Sequence, residues 1–85
     1  MTIRGLTGEL RCGYQVVARL GSWTREGARV ETTAREVNEF WLDQASRLDL
    51  RLDVGRRQWQ WRGVDLIDSN RESFVVRVHG SPELL

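Results

Sequence analysis

The sequence predicts a β-rich α+β domain. It reads as an antiparallel sheet of about five to six strands, curled over one helix near 34–46 or closed into a small barrel. The alternative is an all-β small barrel or sandwich. Three observations carry this reading. Apolar and polar residues alternate strictly in "LRCGYQVVARL" and "RLDLRLDV", the period of half-buried strands. Glycines fall where the alternating runs must turn or bulge. One stretch, "TAREVNEFWLDQASRL", shows helical spacing instead.

The elements follow in order. A first strand is expected around Thr2 to Leu6. From Leu10 to Leu20, Leu10, Cys12, Tyr14, Val16, Ala18 and Leu20 share one face, and Gly13 marks a kink or a turn between two shorter strands. "GSWTREGA", Gly21 to Ala28, reads as a loop whose Trp23 tucks onto the core. Thr33 and Glu36 have the spacing of a capping box, and Ala34, Val37, Trp41, Ala45 and Leu48 recur at steps of three and four. This spacing predicts an amphipathic helix from about Ala34 to Ser46. Its rival is a strand through "ARVETTAREV" followed by an aromatic-rich loop. Next, Leu48, Leu50, Leu52 and Val54 form one face of a strand, and Gly55-Arg56 supplies a two-residue hairpin turn. In "RRQWQWRGV" Trp59 and Trp61 share a face. Val64 and Leu66 have the wrong parity to join them unless one extra residue stands at Gly63 as a bulge. With that bulge Trp59, Trp61, Val64 and Leu66 point inward, and Gln58, Gln60, Arg62 and Asp65 outward. "DSNRE" makes a turn; Phe74, Val76 and Val78 face inward on a last strand; "GSPELL", about 80–85, ends as a flexible tail.

Eighty-five residues form one domain, 1–85, and a chain this short buries only roughly 60% of its unfolded surface. Its four tryptophans are therefore expected in structural roles. No apolar run approaches the ~18 residues of a membrane span, and "MTIRGLTGEL" lacks a signal peptide's apolar stretch. Cytoplasmic residence, free or within a particle assembled there, is the expectation. Cys12 is the one cysteine, so no internal disulfide forms, and its phase suggests a small buried apolar residue. The net charge is +1, without the basic excess typical of nucleic-acid-binding domains. Every basic residue is arginine, which reads as the bias of a GC-rich genome.

No catalytic, metal or cofactor constellation stands out. His79 lies outward beside Arg77 with no Ser or Cys partner in a recognisable pattern. Asp68, Asn70 and Glu72 have the spacing with which calcium loops begin, but the later ligands and central glycine are missing. Asp65 and Asp68 form no acid–base pair in a cleft that the sequence reveals. The expectation is a non-enzymatic protein-interaction or assembly module, a partner protein or a second copy being bound through the outward row Arg56, Gln58, Gln60 and Arg62. Leu84 and Leu85 in the tail are a further docking element. The alternative is single-stranded nucleic-acid binding, with Trp59 and Trp61 stacking on bases and the nearby arginines holding phosphates.

One resemblance bears on the choice. "LDVGRRQWQWRGVDLID" followed by "SFVVRVHG" resembles the closing strands of small phage-type head–tail connector and tail proteins. It covers about a third of the chain through apolar pattern and glycines, and carries no functional residue across. The resemblance implies a non-enzymatic structural component of a phage or mobile element.

Overall fold

Turns led by glycine fold the chain back on itself. In the computed structural model, which describes residues 1–85, β1 (Thr2–Gly5) is followed by β2 (Gly8–Cys12), β3 (Gln15–Glu26) and β4 (Arg29–Val37). A short helix, α1 (Glu39–Gln44), then leads to β5 (Leu48–Val54), β6 (Arg57–Ser69), β7 (Ser73–Arg77) and β8 (Glu83–Leu84). The two-residue turns Gly13-Tyr14, Gly27-Ala28 and Gly55-Arg56 each place glycine first, with φ of 62°, 61° and 62°. Only the first turn residue has positive φ, a conformation that a Cβ disfavours.

Six strands close into an antiparallel barrel in the order β3-β2-β5-β6-β7-β4, with β4 returning to β3. Closure gives every barrel strand a partner on both sides and removes most of the open edge. The two long strands organise it. On one edge β3 pairs first with β2 and then, from Trp23 to Glu26, with β1. β6 does the same: one edge takes β5, and the other takes β8 at Trp59–Gln60 and β7 from Asp65 onward.

The bulge expected at Gly63 is present. Leu48 pairs with Val64 and Asp49 with Arg62, which leaves Gly63 as the extra residue at φ 68°. Its N–H donates to Asp49 Oδ1 at 3.0 Å. Inward parity therefore passes from Trp61 to Val64, and both are buried. The interior is one cluster in which Leu10, Leu20, Trp23, Leu50, Leu52, Trp61 and Phe74 are the large members. Trp23 packs its ring against Gly5, where a side chain would collide with it, and donates from Nε1 to the Thr7 carbonyl at 2.9 Å.

Five sequence expectations need correction. The helix expected from Ala34 to Ser46 begins only at Glu39; residues up to Val37 continue β4. Pairing with both β3 and β7 outweighs the helical spacing, and Val30 and Thr32 alternate into the core. The Thr33–Glu36 capping box does not form; Asn38 is the N-cap, accepting from the Trp41 N–H at 3.3 Å. Gly21–Ala28 is no loop, because β3 runs through to Glu26, although Trp23 is in the core as expected. Of the two readings of Gly13, the turn between two shorter strands is the one that forms, but Tyr14, expected inward, is fully exposed, and a register shift brings Val17 inside instead of Val16. Finally, 80–85 does not trail from the domain but lies along β6 as β8.

Because Gly63 sets the phase of β6, Gly63→Ala should lower stability by about 1–2 kcal/mol, the usual cost of left-handed backbone for an L-residue. The space is open, with Arg47 Nε 3.8 Å from an added Cβ, so urea denaturation reads the backbone cost directly.

Candidate functional site

The quoted strand "RRQWQWRGV" supplies two groups of sequence-predicted site residues, and the fold separates their roles. Trp61 is 2% exposed and Trp59 is half-buried against the core. Their rings meet edge to face at 5.9 Å and 87°. Arg25, on the inward face of β3, lies over both rings, its guanidinium carbon 5.0 Å from the Trp61 centroid and 5.6 Å from that of Trp59. Arg25 is held there by its Nε–H donating to the Gly27 carbonyl at 3.0 Å. Trp61 Nε1 donates to the Gly80 carbonyl at 3.2 Å. The pair thus forms one wall of the core, capped by a cation–π contact. A base could reach Trp61 only by displacing that packing.

The row expected to meet a partner is largely used within the chain. Only Arg56, in the hairpin turn, stands fully free of side-chain partners in the row. Gln58 donates from Nε2 to Asp53 Oδ1 at 2.8 Å. Gln60, expected outward in water, is 7% exposed, its Oε1 accepting from Arg51 Nε at 3.2 Å and Nη2 at 2.8 Å. Arg62 pairs with Glu83 at 3.2 Å. The signal for the first two contacts was in the sequence. A two-residue turn at Gly55-Arg56 sets Asp53 opposite Gln58 and Arg51 opposite Gln60, so the polar faces of β5 and β6 satisfy each other.

The remaining polar candidates are also placed. His79 Nε2 lies 2.8 Å from Asp65 Oδ2, with both side chains more than half exposed. Asn70 Oδ1 accepts from the N–H groups of Glu72 and Ser73 at 2.8 and 2.9 Å, which shapes the β6–β7 turn. Cys12 is half-buried and free. No three His, Cys, Asp or Glu side chains come together as metal ligands would. No helix is long and apolar enough to cross a membrane. A cleft of about 570 Å³ lies along the outer face of β1, β3, β4 and β7, lined by Arg4, Leu6, Ser22, Thr24, Thr33 and Val75 among others.

A surface that sequence reasoning assigned to the core is open instead. Helix α1 has no buried residue; only Leu42 half-buries to tether it. Phe40 is 66% and Trp41 40% exposed, their rings edge to face at 5.5 Å. The Asn38 N–H donates to the Val17 carbonyl at 2.8 Å, which seats the helix beside the start of β3. Tyr14, in the turn that opens β3, is fully exposed at the same end of the barrel. Glu39 and Asp43 flank the aromatic pair, and no basic residue occupies the last helical turn. Three aromatic side chains thus project from one end, while the other large rings lie in the interior. Compared with protein-family models, curated proteins and solved structures, the chain finds no significant match.

The division of the polar row has a measurable consequence. Gln60→Ala leaves a half-buried Arg51 without its acceptor and should lower stability by about 1.5–3 kcal/mol, whereas Arg56→Ala should stay within about 0.5 kcal/mol of the parent. Chemical denaturation of the two variants side by side checks this.

Proposed function

We propose that the chain is a non-enzymatic protein-binding and assembly module whose partner docks on Tyr14, Phe40 and Trp41. The observation that carries this reading is the Phe40–Trp41 pair, held out of a well-filled core on a helix that buries none of its residues. In so small a domain, aromatic area is the largest source of burial available, and leaving it in water forgoes stability. Exposed aromatic clusters rimmed by polar residues are where partner proteins find their anchors. Glu39 and Asp43 provide such a rim and favour a partner carrying basic residues at the contact.

The virion component suggested by the likeness of the last strands to phage connector and tail proteins fits this reading and rests on that likeness alone. Nucleic-acid binding through Trp59 and Trp61 has less support, since Trp61 is enclosed and Arg25 already covers the pair.

A photoreactive phenylalanine analogue at position 14, 40 or 41, introduced in the native cell, should crosslink one and the same protein, while the analogue at Ala28, exposed in the turn at the opposite end of β4, should not. Phe40→Ser with Trp41→Ser should abolish capture by an analogue retained at position 14. It should also leave the melting midpoint near the parent's, because neither ring is buried. Equal crosslinking at Ala28, or capture that survives the double substitution, contradicts this docking site.

A further inference from the structure

The first half of β6 has an edge that the barrel does not close. β5 covers one side of Trp59 and Gln60, but β7 pairs only from Asp65 onward, so the other side would lie open. An open edge recruits a strand, and here the two-residue β8 covers it. We propose that residues 80–85 exchange between copies of this chain, each copy laying its β8 on the β6 edge of another.

Little holds β8 in its own molecule. Beyond the short ladder, the Leu85 N–H donates to the Gln58 carbonyl at 3.0 Å and the Gly80 carbonyl accepts from Trp61 Nε1. Arg62 and Glu83 form an exposed ion pair, of the kind that contributes little to stability. Leu84 and Leu85 remain 59% and 55% exposed, so burial adds little more. The chain reverses towards β6 at Gly80, at φ 70°, with Ser81 and Pro82 as the span between. Extending that one glycine carries the segment away from its own edge.

The edge also specifies its occupant. Arg62 calls for an acidic residue on the incoming strand, and Arg56 and Arg57 strengthen the positive charge along the same hairpin. The segment Gly80–Leu85 meets that requirement with Glu83 in a register already observed, so the second copy needs no new contact. Exchange re-forms each bond between molecules, and association entropy is its main cost. Reciprocal exchange closes a two-fold dimer; one-way exchange links copies head to tail. This surface is separate from Tyr14, Phe40 and Trp41, and the inference stands or falls independently of the docking site proposed there.

Two full-length charge variants test it. Arg62→Glu and Glu83→Arg each set like charges together within one molecule. Mixed in equal amounts, they restore opposite charges at both contacts only when the segments cross between the two variants. Native mass spectrometry should show the mixed dimer in about tenfold excess over either variant's own dimer. The combined variant Arg62→Glu/Glu83→Arg should return to the parent's distribution. A mixture of folded variants without excess mixed dimer overturns the proposal. Should either variant fail to fold, Gly80→Ala decides: nothing lies within 4 Å of the added Cβ, so its cost falls on the positive-φ reversal. A dimer fraction above the parent's supports exchange, and an unchanged fraction overturns it.

Discussion

The structure depends on the phase of β6 across Gly63. Before the glycine, β6 pairs with β5 and turns Trp61 inward; after it, Val64 turns inward opposite Leu48 of β5, and from Asp65 the strand pairs with β7. Without the extra residue one half of the strand would show its apolar face to water, because a one-residue shift in a strand exchanges the two faces. The Asp49 carboxylate takes up the N–H that the bulge withdraws from the ladder. With that phase set, pairing of β2 with β5 and of β4 with β7 joins the two three-stranded meanders, β2–β4 and β5–β7, into one closed barrel.

Much of this was legible in the residues. Alternation gave β5, the first half of β6 and β7 their inward faces, and the parity break before Val64 located the bulge. Other parts were not legible, for identifiable reasons. Ala34 and Val37 suit a strand as well as a helix, and only the presence of β3 and β7 on either side decides between them. Trp23 interrupts a polar stretch that looks like a loop until β1 and β4 are seen beside it. Helical spacing counted Trp41 towards the core, but the helix is short enough that it tethers through Leu42 and leaves both rings outside.

The site shows the same division. The Trp59–Trp61 pair was expected inward and lies there, with an arginine lid that no local pattern announces, since Arg25 comes from the far end of another strand. The polar row was read as open because single strands reveal parity but not neighbours; opposite β5 and under β8, most of it is satisfied internally. What stays available is the aromatic end and the lightly held β8. Both are surface features of a scaffold whose interior encloses Trp61.

The four tryptophans report on this arrangement together. With 5-fluorotryptophan in all four positions, assigned by single replacements, a soluble paramagnetic agent should broaden the fluorine resonance of Trp41 strongly. Trp59 should be affected less, and Trp23 and Trp61 should stay sharp. That ranking is what a barrel closed around Trp61 with its aromatic end in solvent requires. Strong broadening at Trp61, or a shielded Trp41 in the isolated chain, would contradict it.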